Sequence, residues 1–336
     1  TPQTGVYSAL HHELKAATFN PLLYVTIDSP ALVNPTINGI AQSGYSGFKN
    51  YIINGGFDIW QRGTSAVTNS NGIGVYTADR WFTNQTGAGG TQTVSQEYTD
   101  IDGGIISTLK STQTTACLNR CMSILEDISC LNLRGKTVTL SFWAKRVGSE
   151  TSFTIGSGND SAYTSINFLI ELTPSTNSSV VINSSEWKKY SISHYIPNNS
   201  QIAIGFSQYP GSDGDYIQIA QIQLEQGSVA TPFENRPYGL ELSLCQRYYT
   251  QGWLRLLGWA GSELLASGSL PTKMRIPPTM LGYSSPFAAA TEIGNTADTS
   301  WRISALSNSE FLYYVLAIAS GNRTGFSCGY QALAEL

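Results

Sequence analysis

Between residues 51 and 233 the apolar residues of this chain recur with a period of two. Val138, Leu140 and Phe142 alternate with Thr137, Thr139 and Ser141; Ile166, Phe168, Ile170 and Leu172 alternate with polar or small residues; Ile202, Ile204 and Phe206 repeat the pattern. Successive side chains of a strand point to opposite faces, so each run predicts a strand of about five to eight residues with one face in a core. In Ile217, Ile219, Ile222 and Leu224 the phase slips by one near Ala220 and Gln221, which predicts a β-bulge. Turn-forming stretches at 156–161, 197–200 and 210–215 separate the runs. Regular strands with no long helices between them predict an all-β fold built as a sandwich.

The flanks read differently. In residues 1–50 a helix-compatible run at 8–17 is followed by Asn20-Pro21 and by Leu32-Val33-Asn34-Pro35-Thr36-Ile37-Asn38-Gly39, too few apolar residues to build a core alone. Such a segment needs partners, most simply copies of itself, and is expected to be fibrous. The chain opens at Thr1 without Met, so an upstream part is expected. Prolines 232 and 237 stiffen a second boundary. Beyond it, runs containing Trp253, Trp259, Met274, Trp301 and residues 311–319 predict a smaller β domain. The expected division is 1–50, 51–235 and 236–336.

Charge removes whole classes of function. Charged residues make up 12% of the chain, against roughly 25% in an average domain, and Ser, Thr, Asn, Gln and Gly cover its surface instead. A net charge of -4 supplies no basic stripe for phosphates, which argues against nucleic acid as a partner. No run of 18 apolar residues predicts membrane insertion. The five cysteines are odd in number. If Cys117 and Cys121 share a strand they lie ~13 Å apart, beyond disulfide reach. Free thiols fit assembly in a reducing cytoplasm.

Asn54-Gly55-Gly56-Phe57-Asp58-Ile59-Trp60-Gln61-Arg62-Gly63, Ala78-Asp79-Arg80-Trp81, Leu133-Arg134-Gly135-Lys136, Leu140-Ser141-Phe142-Trp143-Ala144-Lys145, Glu186-Trp187-Lys188-Lys189-Tyr190, Ile222-Gln223-Leu224-Glu225 and Thr231-Pro232-Phe233-Glu234 follow one another along the chain. In this order they resemble the carbohydrate-binding-module-like jelly roll of bacteriophage tail-fibre and tail-tip proteins. Cys245-Gln246-Arg247-Tyr248-Tyr249, Met274-Arg275 and Ala334-Glu335-Leu336 are similar to the C-terminal domain that commonly follows it, and residues 32–39 resemble tail-fibre shaft repeats. The resemblance implies a homotrimeric fibre in the virion, joined to other tail proteins, whose distal domains touch a host-surface glycan. Relatives of this sandwich often hold a structural calcium ion through an acidic residue of the last strand; here that strand reads Ile219-Ala220-Gln221-Ile222-Gln223-Leu224, so no cofactor is expected.

Aromatic rings are the natural candidates for a sugar site, because a pyranose stacks its C–H face on an exposed ring. In a sandwich most tryptophans are core or corner residues, and Trp60, Trp81 and Trp187 are read that way. By alternation Trp143 lies on the face opposite Val138, Leu140 and Phe142, where it meets solvent, a ligand, or, as favoured here, a neighbouring subunit or covering loop. Trp253, Trp259, Tyr283 and Trp301 lie near Gly- and Ser-rich turns and are the expected glycan-binding residues.

Catalytic patterns fail individually. Gly135-Lys136-Thr137 resembles the end of a phosphate-binding loop, but Cys130 occupies the upstream glycine position and Thr137 enters a strand. His11 and His12 are adjacent and point apart on a helix, and His194 is the only other histidine. Asp58, Asp79, Glu126, Asp127, Asp160, Asp213, Asp215 and Glu234 are read as caps of turns and strand ends. The chain is expected to be an adhesin and not an enzyme, with a glycan-degrading tailspike or a purely structural virion protein as alternatives.

Overall fold

The computed structural model describes residues 36–37, 40–41, 48–64, 67–70, 74–86, 90–114, 117–158, 175–198, 201–258, 264–282, 300–316 and 324–335. The chain forms two compact units, Thr1–Phe48 and Lys49–Leu336. In the first, β1 (Thr36–Ile37) pairs antiparallel with β2 (Ile40–Ala41). Only Asn38-Gly39 separates them, the dipeptide that tight hairpins favour. The helix-compatible run at 8–17 lies outside the described residues.

In the second unit the chain runs through β3 (Val67–Ser70), β4 (Val75–Tyr76), β5 (Phe82–Thr86), β6 (Thr91–Ile101), β7 (Gly104–Gln113) and β8 (Leu118–Ile124). A short helix, α1 (Asp127–Leu133), leads to β9 (Thr137–Val147), β10 (Thr151–Gly158), β11 (Ser175–Ile182), β12 (Lys188–Tyr195), β13 (Gln201–Gln208) and β14 (Tyr216–Gln226). These strands make two six-stranded sheets, ordered β11-β10-β13-β8-β5-β4 and β12-β9-β14-β7-β6-β3. All observed pairings are antiparallel, and from β7 to β14 the chain changes sheet at nearly every step, as in a jelly roll. Most of the expected runs are strands; 166–172 lies outside the described residues.

The core lies between the sheets. Val138, Leu140, Phe142 and Ala144 of β9, with Ile217, Ile219, Ile222 and Leu224 of β14, face Phe153, Ile155, Ile202, Ile204 and Phe206 of the other sheet. Phe142 stacks on Phe153 with ring centroids 4.2 Å apart. The expected bulge is present: Ala220 pairs with Trp143 and Gln223 with Ser141, so Gln221 and Ile222 together oppose one residue of β9. Gln221 takes up the extra length with φ +51°. Without it, Ile222 and Leu224 would turn away from the core.

The polar faces are less open than alternation suggests. Thr139 and Ser141 are as buried as their apolar neighbours. The chain after β14 folds back across that end of the sheet: Thr139 Oγ1 donates to Gly227 O at 2.7 Å, and Gln223 Nε2 to Thr231 Oγ1 at 3.2 Å.

A helix, α2 (Tyr238–Gln246), follows Pro237 and leads into β15 (Tyr249–Gly258), β16 (Leu264–Ser269), β17 (Thr279–Gly282), β18 (Ser300–Ala305), β19 (Glu310–Leu316) and β20 (Thr324–Leu333). These form two three-stranded sheets, β15-β20-β17 and β16-β19-β18, around Leu270, Met274, Phe311, Tyr330, Ala332 and Ala334.

Candidate functional site

The sequence motifs come together as a joint. Asn54, at φ +57°, donates from Nδ2 to the carbonyls of Ile59 (2.8 Å) and Asp79 (3.0 Å), and its Oδ1 accepts from Ile59 N. Trp81 Nε1 donates to Asn54 O, and Trp60 Nε1 to Phe57 O. Gly55 runs against the bulge of β14, where Ile222 N donates to Gly55 O; a Cβ there would lie 2.1 Å from Ile222 O. The ends of the sandwich are tied by Glu234, which accepts from Lys49 N and Asn50 N. Arg236 Nη1 donates to Ile52 O and pairs with Glu241 at 3.1 Å.

The following β portion docks on this joint through ions. Glu335 pairs with Arg62 at 2.9 Å and Arg80 at 2.7 Å, while Arg247 pairs with Glu126 at 3.0 Å. The Arg80 guanidinium lies 3.6 Å from the Tyr248 ring centroid, and that of Arg62 3.6 Å from Tyr249. Burial raises the Asp79 carboxyl to about 6 even though Gln61 donates to it and Arg62 lies 3.7 Å away. Burial likewise raises Tyr76 to about 12. The motifs at 54–63, 78–81, 222–225, 231–234 and 245–249 therefore build the scaffold, whereas those at 140–145 and 186–190 carry Trp143, Lys145, Trp187 and Lys189.

The outer face of β12-β9-β14-β7-β6 is closed along β14 and partly open at Lys189, Trp143, Lys145 and Lys110. Residues directly opposite in an antiparallel sheet share a face, so the register gives its layout. One row runs Lys189, Trp143, Ala220; the next runs Lys145, Gln218, Lys110, Ser95. Trp187, just before β12, falls opposite Lys145, whose Nζ lies 5.1 Å from its ring centroid. Two indoles and two ammonium groups thus form a checkerboard. Trp143, Trp187 and Lys145 are half-buried and Lys189 is exposed. Beside them Gln218 Nε2 donates to Thr108 Oγ1 at 2.8 Å, and Lys110 pairs with Glu97 at 3.1 Å while lying 4.7 Å from the Tyr216 ring. Ala220, fully buried, makes a small-residue floor next to Trp143. Gln218 and Thr108 are buried and bonded to each other, so the groups this face leaves to a ligand are the half-buried indoles and the lysine ammonium groups, which can stack on a pyranose and bond its hydroxyls.

Of the three tryptophans read as core or corner residues, Trp60 and Trp81 are in the core and Trp187 is half-buried at the corner just before β12. Trp143 is left half-open. Of the expected glycan-binding residues, Trp259 and Tyr283 lie outside the described residues; Trp253 stands on β15 opposite Gly329 and Trp301 on β18 opposite Val315, and only their backbone is described. Trp143 was legible by alternation. Its neighbours Gln218, Lys110 and Glu97 were missed because strand order, which sets who stands beside whom, has no local sequence signal.

The carboxylates act on backbone and arginine. Asp215 accepts from Ser149 N and Ser212 N, Asp100 from Gly103 N, and Asp79, Glu126 and Glu234 as above. His194 lies between Ser157 Oγ (2.8 Å) and Ser178 Oγ (3.0 Å), and burial lowers its pKa. Among the described residues no cluster of three His, Cys, Asp or Glu is placed to hold a metal ion, and no helix is long and apolar enough to cross a membrane.

No protein-family model matches the chain, and no curated protein matches its sequence. Among solved structures the chain is similar to the carbohydrate-binding module TmCBM61 in complex with β-1,4-galactotriose, at 13% identity and TM-score 0.33, over 54% of this chain and 100% of the module. It is also similar to the enzymatically active domain of bacteriophage CBA120 tailspike protein 4, at 17% identity and TM-score 0.35, over 53% of this chain and 21% of that one. The family 22 carbohydrate-binding module of Clostridium thermocellum Xyn10B matches at 14% identity and TM-score 0.32, over 46% of this chain and 91% of the module.

Proposed function

We propose that the chain is the non-catalytic, glycan-binding part of a bacteriophage tail fibre, acting as a homotrimer at the host surface. The observation that carries the glycan reading is the outer sheet face, where half-buried Trp143 of β9 and Trp187, just before β12, stand beside Lys145 and Lys189. Rings fixed by strand packing cost little entropy when a sugar stacks on them. Support for the phage reading comes from the order of the tail-fibre-like motifs along the sequence. Three copies of one weak site gain avidity of about 10² to 10⁴ when geometry lets them engage together. The reading of no chemistry is supported by Glu234, Glu335 and Glu126, whose oxygens are taken up by backbone N–H groups and arginines.

A glycan array probed with the intact chain tests this reading, with Trp143→Ala as the control. Binding to a defined set of glycans, lost in the variant at unchanged melting temperature, is the expected result. Binding to none, or new reducing ends released from host polysaccharide, would contradict it. Sedimentation at a trimer mass tests the assembly.

A further inference from the structure

The lysines on the outer face point to the charge of the ligand. The chain is acidic overall, at net -4, yet Lys145 and Lys189 stand at two corners of the checkerboard with Trp187 and Trp143. Among the described residues neither has a carboxylate partner, whereas Lys110, in the same row as Lys145, has Glu97 at 3.1 Å. Across the sheet the nearest positions on the same face are Ala220 and Gln218, both uncharged. A neutral sugar asks only for amides and hydroxyls, and two adjacent ammonium groups repel each other unless an anion lies between them. Lys145 and Lys189 are diagonal neighbours on paired strands, roughly 7–8 Å apart and within reach of long side chains.

We propose that this face selects an acidic glycan, one bearing carboxylate or phosphate groups along its repeat. The inference rests on the glycan reading of the same face. Trp143 and Trp187 supply stacking and Lys145 and Lys189 charge-assisted hydrogen bonds to the anion, while Gln218, buried and bonded to Thr108, holds the strand beneath them.

The test is retardation of the intact chain in native gels containing polygalacturonate, alginate or a glycerol-phosphate teichoic acid. Each is set beside an uncharged counterpart: methyl-esterified pectin, the esterified alginate and dextran. The charged polymers are expected to retard the chain at least about tenfold more strongly, with the preference falling as salt shortens the screening length. Lys145→Gln with Lys189→Gln should erase the preference and leave weak binding to the esterified polymers, and Trp143→Ala should abolish both. Equal retardation by charged and esterified polymers overturns the acidic class and leaves the glycan reading standing. Retardation by none overturns both. Charged-polymer binding that survives Trp143→Ala is mere ion exchange and also overturns the proposal.

Discussion

Asp79 is the residue on which most of the joint converges: Gln61 and Arg62 face its carboxylate, and its carbonyl accepts from Asn54. Its carboxyl is raised from 3.8 to about 6, chiefly by burial. A group raised in the folded state gives its stabilisation in full below 3.8 and loses it as pH rises through about 6. Between those values the native protein should therefore lose ~1–3 kcal/mol relative to Asp79→Asn. Urea denaturation at stepped pH measures this, and parallel curves for the two proteins would contradict it. Glu335 is a second test, because it neutralises Arg62 and Arg80 together. Breaking a buried pair leaves charge uncompensated, so Glu335→Gln should cost roughly 3 kcal/mol, read from the urea midpoint. Cys117, Cys121, Cys130 and Cys245 are buried and form no disulfide, and burial raises the thiols of Cys117, Cys121 and Cys245. All four should resist alkylation until denaturant is added, and prompt labelling of the native protein would count against the packing described.

At the scale of elements, β14 shows what alternation can and cannot tell. The slip at Ala220-Gln221 was visible because Ile217, Ile219, Ile222 and Leu224 must all reach one core, and the bulge lies there. Gln221 at φ +51° is unfavourable for a side-chain-bearing residue. Gln221→Gly should be neutral or stabilise by about 0.5–1 kcal/mol, whereas deleting Gln221 would turn one half of the strand inside out and abolish cooperative melting. Both outcomes are read by circular dichroism. Less legible was the cover over Thr139 and Ser141, since the sequence does not say that residues 227–231 fold back over β9. Likewise Arg80, Tyr248 and Glu335 were recognised as motifs, but their union as one ionic joint depends on residues more than 160 positions apart meeting in space. Helix α2 escaped notice because its nine residues have little helical amphipathicity and follow a proline-rich boundary.

In the whole molecule, Glu335 and Arg247 keep two β portions docked, and the outer face of β9 and β12 lies apart from that joint. Under the proposed function, three such faces in a trimer would convert weak contacts into firm adhesion. The most direct test is a titration of one array-selected glycan against the intact chain, Trp143→Ala and Trp253→Ala, each checked for an unchanged melting temperature. The account predicts at least about tenfold weaker binding for Trp143→Ala, in line with losing a stacked ring, and native affinity for Trp253→Ala; the opposite pattern would move the site off the sandwich and contradict it.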